Sequence, residues 1–85
     1  MTSINDVINQ TYSKGAYKAA IQTLQKYLND KNDSSRAKAL FYTGLSYYRL
    51  NSFEKALDYF VHPLTVKAYG KRAEFWYRQT LENLP

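Results

Sequence analysis

His62 is the single histidine of an 85-residue chain that contains no cysteine, so reactions needing a nucleophile, a base or a metal have little to draw on. A lone imidazole beside Pro63, with no adjacent acidic residue to orient it, reads as structural or solvent-facing rather than as a general base. The missing cysteines exclude thiolate ligands, disulfides and a cysteine nucleophile. No glycine-rich loop leads into a Lys-Ser or Lys-Thr pair, and no serine sits in a glycine-flanked elbow. Catalysis, a bound metal and a cofactor are therefore not expected. What the chain offers instead is rings and positive charge: nine Tyr, four Phe and one Trp, with a net charge of +5. Tyr48-Arg49 and Tyr77-Arg78 each set a guanidinium beside a phenol, and Lys67, Lys71 and Arg72 place three cations within six residues. Ring and arginine pairs suit contact with a protein or peptide, including an acidic one. They suit single-stranded nucleic acid less well, because that needs cations interleaved with rings along one groove. The lysine-rich run reads first as a solvated face.

These side chains must be held by a small fold. A content of 45% hydrophobic and 22% charged residues describes one globular domain, and three Gly with two Pro rule out a collagen-like or linker-dominated chain. Apolar stretches such as 39–42 fall far short of the roughly 18 residues a membrane span needs. The start Met1-Thr2-Ser3 carries no basic leader region. A soluble chain is expected, cytoplasmic by default.

Self-similarity organises the rest. Tyr17-Lys18-Ala19-Ala20-Ile21-Gln22-Thr23-Leu24 aligns with Phe53-Glu54-Lys55-Ala56-Leu57-Asp58-Tyr59-Phe60 at an offset of 36. The same offset matches Ile4 with Leu40 and Trp76, and Ala37 with Ala73. Three copies begin within the chain, and the third stops after its first helix.

Within each copy apolar residues recur at three- and four-residue spacing, the period of a helix face. Ile4, Val7, Ile8, Thr11 and Tyr12 make the first stripe, and Ser3 with Asp6 predicts a capping box at its start. Gly15 predicts a left-handed turn before the stripe of Tyr17, Ala20, Ile21, Leu24 and Leu28. The polar run 29–35 links the copies and ends in candidate caps. Leu40, Thr43, Gly44 and Tyr47 form the third stripe, and Asn51-Ser52 supplies a turn and a new N-cap before Phe53, Ala56, Leu57 and Phe60. Pro63 should stop or kink the fourth helix near His62. A fifth helix runs from Lys71 to Leu84.

Gly44 in one helix and Ala56 in the next, flanked by Leu40, Tyr47, Phe53 and Phe60, resemble the tetratricopeptide repeat, a helix-turn-helix unit of about 34 residues. Thr43 and Pro63 depart from the family pattern, as do Ile8, Thr11 and Thr80 in the outer copies. The resemblance implies an all-α fold of five helices, a right-handed superhelix of antiparallel hairpins in a single domain. Repeat one covers about 1–34, repeat two about 37–70, and a C-terminal helix about 71–84. It places Gly44 opposite Ala56.

The resemblance further implies a concave surface built by the first helix of each copy and used to bind extended peptides or partner helices. Transferred residue by residue, that surface takes Asn5, Asn9 and Tyr12 from the first copy. The second supplies Lys38, Phe41, Tyr42, Leu45, Tyr48 and Arg49, and the third Tyr77 and Arg78. Phe41, Tyr42, Leu45 and Tyr48 lie beside the core stripe and so are expected to expose apolar surface, unless neighbouring copies bury them. Members that grip the acidic tails of heat-shock chaperones use a clamp of Lys, Asn and Arg. Asn9 and Arg78 fit it, but Asn5, Tyr42 and Glu74 do not, and Glu74 would repel a terminal carboxylate. The expected function is thus a non-catalytic interaction module. The alternative is a homo-oligomer formed through the C-terminal helix, because an unfinished solenoid end exposes an apolar face.

Overall fold

The computed structural model describes residues 3–85; Met1 and Thr2 of the leader reading lie outside the described residues. Every element is helical and no strand occurs among the described residues. Six α-helices follow one another: α1 (Ile4–Gln10), α2 (Tyr17–Leu24), α3 (Asp33–Arg49), α4 (Phe53–Phe60), α5 (Pro63–Tyr69) and α6 (Lys71–Glu82). Short 3₁₀ turns at Tyr12–Lys14 and Gln25–Tyr27 extend α1 and α2. They pack into an elongated slab of 41 × 26 × 17 Å.

Local chemistry explains the helix starts. Ser3 and Asp6 form the predicted capping box, with the Asp6 N–H donating to Ser3 Oγ at 3.2 Å and the Ser3 N–H to Asp6 Oδ2 at 3.4 Å. Asn32 caps α3 by accepting from the Ser35 N–H at 3.0 Å. Ser52 occupies the N-cap position of α4, but its side chain makes no cap bond. That expectation fails at the hydrogen bond, and the turn is closed instead by the Ser52 N–H donating to the Tyr47 carbonyl at 2.9 Å.

The 36-residue offset recurs in the backbone of α2 and α4. α2 and α4 each have eight residues, and both ends are offset by the same 36 positions. Gly15 and Asn51, the equivalent turn residues, both adopt positive φ, 80° and 63°. Asparagine is among the few side chains that tolerate this region. The turn bond recurs too, since the Ala16 N–H donates to the Thr11 carbonyl at 2.9 Å, as Ser52 does to Tyr47. Ala20 and Ala56 are both fully buried, and so are Leu24 and Phe60 four residues on.

The expectation of five helices is corrected to six. Pro63 does end α4, and because proline lacks an N–H it is well suited to the first turn of the next helix. His62 caps that helix, its Nδ1 accepting from the Leu64 N–H at 3.2 Å. The result is α5, which folds back against α3. The lone histidine therefore has a structural role.

Two clusters form the core. Val7, Ile8, Ala20, Leu24 and Ala39 make one, and Phe41, Leu45, Ala56 and Phe60 the other. Each fully buried Leu or Phe contributes about 1.5–3 kcal/mol relative to exposure. Gly44 permits close packing of α3 on α4, and the atoms nearest to where its β-carbon would stand belong to Phe60 and Tyr59. The space left by the missing side chain is filled by Tyr59 and Phe60, in the turn of α4 that follows Ala56.

Candidate interaction surface

Side chains from α1, α3 and α6 meet along one strip. Lys38 of α3 donates to Asn5 Oδ1 of α1 at 2.8 Å. Tyr12, in the 3₁₀ turn after α1, lies edge-on to Tyr42 at 5.3 Å between ring centroids and to Tyr17 at 5.5 Å. Such edge contacts bring the positive rim of one ring to the negative face of another. Arg49, the last residue of α3, sends its Nε–H toward the Tyr12 hydroxyl at 3.4 Å and lies 5.4 Å from the centroid of Trp76 on α6. Trp76 in turn meets Tyr48 edge-on at 5.3 Å, and the Tyr48 hydroxyl accepts from Asn83 Nδ2 at 3.3 Å.

The other end of the strip is built differently. Phe41 touches Tyr42 at 5.6 Å and stacks flat on Tyr69 of α5, with centroids 4.0 Å apart and planes 12° from parallel. Arg72 of α6 holds its guanidinium 5.2 Å from Phe41 and 5.3 Å from Tyr69. A run of touching rings therefore extends from Tyr69 to Tyr12, and Arg49 connects it to Trp76 and Tyr48. Arg72 sits at one end and Arg49 within the other.

Electrostatics follow from these contacts. The hydrogen bond to the Tyr12 hydroxyl holds the Arg49 proton more tightly than usual; partial desolvation works against this, and the phenols of Tyr12, Tyr17 and Tyr48 reinforce it. Burial raises the Tyr69 phenol above its ordinary value, with Tyr42 adding to the shift and Arg72 opposing it. A cation over a ring face is worth about 0.5–1 kcal/mol at an exposed site.

Of the residues that the resemblance placed on the concave surface, Tyr12, Tyr42, Tyr48 and Arg49 join one network of contacts through Trp76, and Asn5 pairs with Lys38. Phe41 and Leu45 need correction. Phe41 is wholly buried and Leu45 is 4% exposed: α5 folds over Phe41, whose ring stacks on Tyr69, and Leu45 lies in the core cluster with Ala56 and Phe60 of α4. Asn9 is exposed on α1. Among the described residues, no ring contact or hydrogen bond joins Tyr77 or Arg78 to the strip. Tyr77 lines a separate groove of about 530 Å³ with Phe60, Val61 and Val66, and Arg78 pairs with Glu74 at 2.7 Å. Sequence reasoning missed Tyr69, Arg72, Trp76 and Asn83 as members. Arg72 and Trp76 are four residues apart and so share a face of α6, a signal that was available. Tyr69 had none, since α5 itself was not foreseen.

No group of three His, Cys, Asp or Glu side chains that could hold a metal occurs among the described residues. No helix among them is long and apolar enough to cross a membrane. Compared with profiles of protein families, with curated proteins and with solved structures, the chain gives no match.

Proposed function

We propose that this chain is a non-catalytic interaction module of the tetratricopeptide kind, its hairpins stacked as a right-handed superhelix, which receives a peptide segment or partner surface on the face shared by α1, α3 and α6. Support for the repeat comes from the equal lengths, turn conformations and buried positions of α2 and α4 at the 36-residue offset. The binding reading rests on a single observation: Arg49 is exposed yet held in place by Tyr12 and Trp76. Such a side chain gives up little rotamer freedom on binding, and it stands among half-buried rings that offer contact area at low entropic cost. Arg49→Glu and Tyr48→Ala should each weaken capture of a partner by the intact chain, whereas Lys18→Glu on the outer helix α2 should not. Equal loss from all three, or from none, would defeat the reading.

A second reading has its own observation. Val61 and Val66 are 50% exposed, Phe75 54% and Leu81 42%, and the first two line the groove beside Tyr77. Exposed apolar side chains at the end of a helical stack suit self-association through α6. Sedimentation equilibrium at rising concentration separates the readings, because a chain that stays monomeric cannot assemble this way. Nucleic-acid binding is the weakest reading, and a binding curve insensitive to salt would remove it.

A further inference from the structure

Four arginines occur in the chain, and they fall into two pairs. Arg36 faces Asp33 at 3.5 Å and Arg78 faces Glu74 at 2.7 Å, so each has a carboxylate neighbour on its own helix. Arg49 and Arg72 have none among the described residues; they rest instead on Trp76 and on Phe41 with Tyr69. Both are exposed, and both lie on the aromatic strip.

We propose that the segment received on this strip is acidic, with two carboxylate side chains that pair with Arg49 and Arg72 while apolar side chains between them lie on the rings. This inference rests on the reading of the α1, α3 and α6 face as a partner surface. A guanidinium over a ring keeps its N–H donors in its own plane and available, so ring contact fixes its position without using its hydrogen-bonding capacity. Carboxylates complement that planar fork in a bidentate fashion. The Tyr12 hydroxyl occupies Nε of Arg49, which leaves the two terminal nitrogens for the partner.

Spacing narrows the ligand further. Phe41, beneath Arg72, and Arg49 are eight residues apart on α3, a rise of roughly 12 Å at 1.5 Å per residue, whereas Arg72 and Trp76, on which Arg49 rests, are four apart on α6, roughly 6 Å, so the two guanidinium groups are bracketed by these spans. An extended peptide covers that range in two to four residues at about 3.3–3.6 Å each. A single-stranded nucleic acid fits less well, because phosphates between the ends would sit over rings rather than alternate with cations. The chaperone-tail clamp is a different arrangement, since it holds a terminal carboxylate and these two arginines call for side-chain carboxylates.

The test is selection of short random peptides, displayed with their C-terminal ends blocked by fusion, against the intact chain. Selected peptides should be enriched in two Asp or Glu residues two to four positions apart with an apolar residue between them. Replacing either acid with its amide should weaken binding by about three- to tenfold, a comparison that leaves the protein unaltered. Arg49→Gln and Arg72→Gln should give similar losses, and each should make the matching peptide change nearly silent. Binders without acidic enrichment would overturn the inference but spare the partner-surface reading beneath it. So would peptides that bind only with a free C-terminal carboxylate, or a single-stranded oligonucleotide that displaces the best peptide. Failure to select any peptide sensitive to Tyr48→Ala would overturn the partner-surface reading itself.

Discussion

A β-carbon placed on Gly44 would lie 2.9 Å from Cε1 of Phe60, nearer than side chains tolerate, and 3.0 Å from the β-carbon of Tyr59. Phe60 is 1% exposed, so its ring has nowhere to retreat. The closeness of α3 and α4 thus depends on the missing side chain at one position.

Gly44→Ala should therefore destabilise the fold even though alanine favours a helix. Overpacking costs about 1–3 kcal/mol and the helix-propensity gain returns roughly 1 kcal/mol, leaving a net loss of up to about 2 kcal/mol. Urea denaturation measures it, and Phe60→Leu in the Gly44→Ala background should recover part of the loss by freeing the space. An alanine variant as stable as the parent would show that the contact is not tight.

The buried hydroxyls make a second case. Thr43 and Thr65 are fully buried, and their Oγ1 atoms have no hydrogen-bond partner among the described residues. Thr80 is equally buried but donates to the Trp76 carbonyl at 2.6 Å. Thr43→Val and Thr65→Val remove an unpaired polar atom at nearly constant shape, and each should stabilise by about 1 kcal/mol. Thr80→Val should be neutral or destabilising. Thermal unfolding of the three variants checks the order, and stabilisation by Thr80→Val alone would contradict it.

Alkaline stability follows from the phenols. Burial, reinforced by Tyr47 and Asp58, raises Tyr59, and burial with Tyr42 raises Tyr69, both from an ordinary value of 10.0. The folded state then keeps a proton that the unfolded chain gives up, so this stability is fully present below pH 10 and is lost as pH rises through the folded values. Urea midpoints should fall above pH 10, and Tyr59→Phe or Tyr69→Phe should flatten the fall. An unchanged slope in the double variant would contradict the assignment.

Local features were legible in the residues where the chemistry is short-range. Ser3 with Asp6 gave the first helix start, Gly15 the first turn, and the 36-residue offset the matched pair α2 and α4. Pro63 marked the end of α4, but proline is equally at home in the first turn of a new helix, so the sequence around it left α5 open. That one ambiguity propagated: with α5 unseen, Phe41 looked exposed, and Tyr69 and Arg72 were left out of the strip. Gly44 was recognised as a point of close approach, yet which residue fills it depends on how α3 and α4 are offset along their axes, and composition does not encode that. Tyr12, Tyr42 and Arg49 were placed on one face by the resemblance to the tetratricopeptide repeat. Their contact with Trp76 needed the docking of α6.

The most direct test of the binding account is to titrate isotope-labelled protein with the tightest peptide obtained by selection and to follow backbone amides, arginine Nε–H groups and the Trp76 indole by NMR. The account predicts shifts concentrated at Tyr12, Tyr42, Tyr48, Arg49, Arg72 and Trp76. Shifts confined to the outer residues Lys18, Gln22, Lys55 and Asp58 on α2 and α4 would contradict it.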